Sequence, residues 1–187
     1  MSSLDGRSGF LRMRLIRLLL PALALMTLGA CAVSDNYQPK GEPSFYRNLA
    51  QPGAELDAAA AASMITGYRA NNGLPAVSLD PELMRLAQAQ ADLMARRDKL
   101  DHSLGKPFVV RIRQAGYDAK VAAENIGAGY HTLAEAFSGW RDSPPHRANM
   151  LLGGATRIGI AAVYTPRSKY KVYWALILAQ PDDKRGS

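Results

Sequence analysis

The chain has 187 residues, with 23 Lys+Arg against 16 Asp+Glu, three His and a single Cys. One cysteine excludes a disulfide framework, a thiolate zinc site and an iron–sulfur cluster, and three His leave room for one small imidazole site. At 48% hydrophobic and 21% charged residues the sequence is too apolar for a disordered chain, and its length suits one compact domain with a tail. Arg7, Arg12, Arg14 and Arg17 precede an uncharged, mostly Leu/Ala stretch from Leu18 to Leu28, broken only by Pro21. That stretch is about half of the ~20 residues needed to cross a bilayer, so residues 1–30 predict an export signal peptide and not a membrane span. Without them nineteen cations face fifteen anions, a net charge of +4. No run of five like charges remains and no aromatics alternate with cations, which gives nucleic-acid binding little support. An ordinary solvated surface accounts for the balance, with mild attraction to anionic lipid or polymer as the alternative.

Leu28-Gly29-Ala30-Cys31 closes the apolar stretch. These four residues resemble the lipobox of bacterial lipoproteins, in which the Cys thiol is diacylglycerylated and becomes the first residue. The resemblance implies lipidation (palmitate-type acyl chains) at Cys31 and membrane attachment through it. At ~0.8 kcal/mol per buried methylene, several acyl chains hold a chain firmly to a membrane. Ala32, in place of Asp, implies by the same resemblance the outer membrane, facing the periplasm, if the envelope is Gram-negative. Residues 31–53, with Pro39, Pro43 and Pro52 and no sustained apolar period, read as the acylated Cys and a flexible tether. A folded domain is expected over 54–181, followed by a polar tail at 182–187.

Within the domain, Asp57 caps an expected helix running to about Ala70, with Met64, Ile65 and Tyr68 inward. Asp80-Pro81-Glu82 is a strong helix start, since Asp supplies a capping oxygen, Pro needs no amide partner in the first turn, and Glu meets the positive helix end. Leu83, Leu86, Ala87, Gln90 and Met94 follow at helical spacing as far as Arg97. Phe108 to Ala115 reads as a third helix ended by Gly116, Asn125 to Tyr130 as a Gly-rich short strand or turn, and Leu133 to about Asp142 as a helix stopped by Pro144-Pro145. Ile158 to Tyr164 and Tyr170 to Leu178 alternate with period two across a polar link, an antiparallel hairpin. Helices followed by a hairpin that must cover them give an α+β layered domain. Met64, Met84, Met94 and Met150 read as gap-fillers, Trp140 as core and His131 as a surface or capping residue.

Three segments concentrate chemistry: Asp101-His102-Ser103, Ala123-Glu124-Asn125-Ile126-Gly127, and Trp140 through Asn149. The run from Gln88 to Arg97 that leads to His102-Ser103, the Glu124-Asn125-Ile126 element, the Trp140-to-Asn149 stretch with Ser143, Pro144, His146 and Arg147, and the closing hairpin to Gln180-Pro181 together resemble the CAP superfamily (cysteine-rich secretory proteins, antigen 5 and pathogenesis-related-1 proteins, or SCP-like proteins). The match is to its small, Cys-poor bacterial branch and spans about residues 58 to 181. The resemblance implies an α-β-α sandwich, a small antiparallel sheet flanked by helices, with two His and two acidic residues converging on a surface cleft. Carried over, these are His102, His146 and Glu124, whereas the second acidic position holds Ser143. Arg147 and Asn149 are expected to fix the loop that presents His146, Asn149 with a direct ligand role as the alternative, and Asn125 to satisfy backbone near Glu124.

Two neutral imidazoles and a carboxylate can hold Zn²⁺ with water in the fourth position. Alternatively Glu124 orients an imidazole that acts as general base on water, Ser143 or Ser103; or the set is a hydrogen-bonded knot that orders the cleft. The catalytic residues are thus open among His102, Glu124, Ser143 and His146, and a weakly bound divalent metal such as Zn on His102, His146 and Glu124 is the cofactor the set allows. The expected function is a membrane-tethered, extracytoplasmic lipoprotein whose cleft, lined by His102, Glu124, Ser143, His146 and Asn149, binds a small ligand, lipid or metal. Its rivals are a hydrolase acting on envelope peptides or polymer and a structural or protein-interaction module of the cell envelope.

Overall fold

The computed structural model describes residues 41–182, so the export segment, Cys31, the first part of the tether and the tail from 183 lie outside the described residues. Helices α1 (Ala58–Ala70), α2 (Pro81–Arg97), α3 (Phe108–Gln114), α4 (Leu133–Asp142) and α5 (Pro144–Met150) surround strands β1 (Ser78–Leu79), β2 (Ala119–Ala128), β3 (Arg157–Tyr164) and β4 (Val172–Pro181). The sheet order is β1-β3-β4-β2. β4 runs antiparallel to both neighbours, while the two-residue β1 adds a parallel pair to β3 that the expected all-antiparallel sheet did not include. None of the described helices is long and apolar enough to cross a membrane.

β4 explains the layering. Val172, Trp174, Leu176 and Leu178 enter one core with Ile65 of α1, Leu133 and Trp140 of α4 and Met150 of α5. Tyr173, Ala175, Ile177 and Ala179 enter the other with Leu83, Leu86 and Met94 of α2 and Ile112 of α3. Successive side chains of a strand point to opposite faces, so a strand apolar in both registers must be covered on both. The result is the expected α-β-α sandwich.

Sequence chemistry sets the helix starts. Asp57 accepts from the Ala60 amide at 2.9 Å, and Asp80 Oδ1 accepts from the amides of Glu82 and Leu83 at 2.9 and 3.0 Å. Thr132 and Glu135 form a reciprocal capping box at α4. Pro144-Pro145 ends α4 as expected, but it also opens α5, because proline fits the first helical turn where no amide hydrogen is needed. β2 is longer than the expected 125–130 element and begins at Ala119. The packed region also starts before residue 54. Leu49, read as tether, is 4% exposed, and its amide donates to the His131 carbonyl at 2.7 Å.

Arg69 is fully buried in α1 and faces no carboxylate among the described residues. Its Nε donates to the Pro75 carbonyl (3.0 Å), Nη1 to those of Met150 and Leu152 (2.9 and 3.0 Å), and Nη2 to that of Ala155 (2.8 Å). It thereby satisfies the Met150 carbonyl at the negative end of α5 together with three carbonyls of irregular segments beside that helix. Arg69→Met is expected to lower unfolding free energy by about 3 kcal/mol or more in urea denaturation, since several buried acceptors lose their donor together. Gly159 sits where a Cβ would collide with the Leu83 backbone, so α2 lies directly on β3. Gly159→Ala is expected to cost roughly 1–3 kcal/mol in the same assay, and an unchanged midpoint would show that α2 can move aside.

Candidate functional site

The side chains come from four separate segments. His102 follows α2 on the α2–α3 connection, Arg111 lies on α3, Glu124 on β2 and His146 on α5. Gln90, the one polar residue in the buried stripe of α2, donates from Nε2 to the Asp101 carbonyl at 2.8 Å and so holds the connection just ahead of His102. The Asp101 carboxylate accepts from Lys99 Nζ and the Ser103 amide, both at 2.8 Å, and these bonds hold it below the usual carboxylate range.

Glu124 is the centre of the group. Its side chain is 1% exposed and both oxygens are engaged: Oε1 with His102 Nδ1 at 2.9 Å and Oε2 with Arg111 Nη2 at 2.7 Å. A carboxylate only accepts, so His102 Nδ1 carries the hydrogen, and in the neutral ring the lone pair is on Nε2. The His102 side chain is 48% exposed, which leaves that ring open to solvent. Arg111 also donates to the His102 carbonyl (3.2 Å) and the Lys106 carbonyl (3.2 Å). Arg111 thus ties the carboxylate to the backbone on which its imidazole partner is mounted.

His146 joins from the other side. Asn125 Nδ2 donates to the His146 carbonyl at 2.9 Å, and Asn149 Nδ2 donates to the Glu124 carbonyl (3.2 Å) and to Asn125 Oδ1 (2.9 Å). Asn149, expected to steady a loop, therefore sits on a helix and clamps α5 to β2. Asn125 satisfies a backbone group as expected, but on α5. Burial, and then the neighbouring His102, push the His146 imidazole below its ordinary value of 6.5. The structure thus joins His102 to Glu124 by a hydrogen bond and sets His146 within electrostatic reach of His102.

Ser143 caps the start of α5 with its backbone, its carbonyl accepting from the Arg147 amide at 2.8 Å. No hydrogen bond links its hydroxyl to either imidazole or to Glu124 among the described residues. His131 is exposed ahead of α4, where its amide donates to Glu135 Oε2, apart from the site. Trp140 is core as expected: it is 1% exposed and its Nε1 donates to the Ile126 carbonyl at 3.2 Å. Arg111 and Gln90 were missed as site residues. Gln90 carried a signal, a polar side chain on a buried stripe, whereas an arginine on a short helix carried none. Among the described residues no group of three or more His, Cys, Asp or Glu is arranged to hold a metal.

The depressed His146 titration has a definite sign. The folded state keeps His146 neutral at pH values where the unfolded chain takes up a proton, so its contribution to stability is complete above pH 6.5 and declines as pH falls from there toward the folded midpoint. In an NMR titration the His146 ring is expected to protonate below pH 6.5, and His102→Ala is expected to raise that midpoint only in part, because burial is the larger cause. A midpoint in His102→Ala equal to that of the unfolded chain would show that burial contributes nothing.

The model of the cysteine-rich secretory protein (CAP) family matches residues 62–178. The uncharacterized protein YkwD of Bacillus subtilis is 33% identical over 98 residues, 51% of this chain and 38% of that protein. The match thus spans about two-fifths of that curated relative. An outer surface protein of Borrelia burgdorferi superposes with a TM-score of 0.61 at 18% identity, over 70% of this chain and 99% of that one. An extracellular SCP-domain protein of Bacillus anthracis gives a TM-score of 0.57 at 19% identity, over 65% of this chain and 39% of that one. These two likenesses are of fold. With the family pattern covering most of the described domain and the same sandwich recurring in these structures, the chain belongs to the cysteine-rich secretory protein (CAP) family.

Proposed function

We propose that this chain is an extracytoplasmic lipoprotein of the cell envelope, tethered through Cys31, whose cleft around His102 and His146 binds a small ligand or a divalent metal. The observation that carries the reading is the His102–Glu124 bond, which leaves Nε2 of a half-exposed imidazole unspent beside a second imidazole kept neutral by burial. Neutral imidazole is the form that ligates metal or accepts a hydrogen bond.

No group of three or more ligands is preassembled among the described residues, so a metal bound here would be held in one particular way. Both Glu124 oxygens are already used, so the two imidazoles would bind directly, and Glu124 would act through His102 by fixing its tautomer and raising its basicity. A bound Zn²⁺ would supply Lewis acidity at this cleft. An apolar hollow of about 250 Å³ lined by Leu93, Leu104, Gly105, Lys106 and Arg111 lies beside the site and suits a small ligand with an apolar body; of its two cations Arg111 is already paired with Glu124, which leaves Lys106 to meet an acidic group. The absence of a Ser143 or Ser103 hydroxyl bonded to either imidazole favours binding over covalent hydrolysis among the described residues. His102 acting as general base on water is the second reading, favoured by its pairing with Glu124. The envelope location rests on the export segment and the Cys31 resemblance, and it agrees with the surface and extracellular proteins that share the fold.

Zn²⁺ titration separates these readings. Wild-type protein is expected to bind saturably, His102→Ala and His146→Ala to lose saturable binding, and Glu124→Gln to weaken it by about 10–100-fold. Equal binding by all four proteins removes the metal. Turnover of peptidoglycan fragments that disappears in the folded His102→Ala protein supports the hydrolase instead. Cys31→Ser is expected to release the protein from the membrane fraction, and persistent membrane association would defeat the tether.

A further inference from the structure

The charge excess of the domain is concentrated at one end. Residues 41–182 contain sixteen cations and thirteen anions. Six of those cations, Arg96, Arg97, Lys99, Arg167, Lys169 and Lys171, belong to the C-terminal end of α2 or to the β3–β4 connection, with Asp98 and Asp101 beside them. The remainder holds ten cations and eleven anions, so this one end carries the positive balance of the whole.

The two segments form one surface. Asp98, with φ of 47° at the end of α2, accepts from Tyr173 Oη at 2.6 Å, and Tyr173 shares a bond of 3.3 Å with Ser168 of the connection. A cavity of about 520 Å³ has Arg96 on its helix wall and Arg167 on its hairpin wall. Asp101 pairs with Lys99, and Asp98 accepts from these hydroxyls and also faces Lys169, so six cations against two anions leave the face an excess of four positive charges. Arg96, Arg97, Arg167 and Lys169 make no ion pair among the described residues. Cations in the last turn of a helix favour its dipole, which accounts for Arg96 and Arg97 but not for the hairpin.

Large apolar side chains stand among these charges. Leu100, directly after Lys99, is 47% exposed, and Tyr170, with Lys169 Nζ 4.9 Å from its ring centre, is 36% exposed. A cluster of cations carrying an exposed aromatic and an exposed aliphatic side chain matches the interfacial zone of a bilayer, where phosphates meet the first methylenes. A purely polyanionic partner leaves Leu100 and Tyr170 without a role.

We propose that the end of α2 and the β3–β4 connection form a docking face for an anionic phospholipid surface, with Arg96, Arg97, Arg167 and Lys169 meeting phosphate oxygens and Leu100 and Tyr170 entering the interface. The proposal rests on the tethered-lipoprotein reading only in that the tether keeps a membrane within reach. The face then sets the orientation of the domain on the membrane, which acylation alone leaves free.

The test is co-sedimentation of the full chain with vesicles of phosphatidylcholine alone or of phosphatidylcholine with phosphatidylglycerol. The tether contributes equally to both, so the ratio between them reads the face. The variant R96Q/R97Q/R167Q/K169Q is expected to lose about a hundredfold of the preference for phosphatidylglycerol, as will the wild type in high salt. A charge-matched control, R47Q/R85Q/R113Q/K120Q, is expected to keep that preference. Equal losses in the two variants would assign the effect to net charge and overturn the proposal, as would wild-type binding indifferent to phosphatidylglycerol. Displacement from the vesicles by a soluble phosphorylated polysaccharide that binds as tightly would move the partner off the lipid surface and overturn it too. Cys31→Ser, run alongside, is expected to weaken binding to both vesicle types alike and to keep the preference, so a failed tether and a failed face give different results.

Discussion

A charged side chain buried without a carboxylate holds the frame of this molecule. Arg69 donates from α1 to four backbone carbonyls, two of them on residues at or just after the end of α5 and one at the approach to β3. Burial lowers the pKa of its guanidinium, but the electronegative end of a short helix compensates a cation there. A seven-residue helix has little stability of its own, so its position depends on what grips its ends. Arg69 grips one end of α5, and the Asn149–Asn125 exchange grips its flank.

The site inherits that fixity. His146 is placed because α5 is placed; Glu124 is placed because β2 is paired along its length with β4 and its carbonyl is held by Asn149. His102, on a connection with no secondary structure of its own, is placed by side chains: Gln90 at the carbonyl before it, Arg111 at its own carbonyl and Glu124 at its ring. Scattered sequence positions can form a defined group only where each segment is tied this way. Arg111 performs two of the ties at once, which is why a residue with no motif around it matters to the geometry.

What could be read from the sequence follows from the range of the forces involved. Asp80-Pro81-Glu82 is a local device, so α2 was legible at its first residue; the alternation of Tyr170 to Leu178 stated the strand and one buried face, but Tyr170 stands exposed before β4 and the second buried face was not read. Pro144-Pro145 is local too, but the same two residues end one helix and begin another, and the stop alone was read. β2 escaped at its start because Ala119 to Ala123 has neither strong alternation nor β-branched density; its pairing with β4 creates the strand. β1 is two residues long and exists only because β3 lies beside it. His102, Glu124 and His146 were found through family resemblance, whereas Arg69 and Arg111 were not, since their partners lie in other parts of the fold.

β4, one of the two inner strands of the sheet, is the last described element in chain order. Both cores close on β4: one takes Trp174 and Leu176, the other Tyr173 and Ile177. Synthesis runs from the amino end, so every helix leaves the ribosome before the strand that joins the two halves exists. Neither half can complete its packing in advance, and contacts of such long sequence separation form slowly. The delay is built into the topology: the two helical layers stay unjoined through synthesis and set only when β4 arrives.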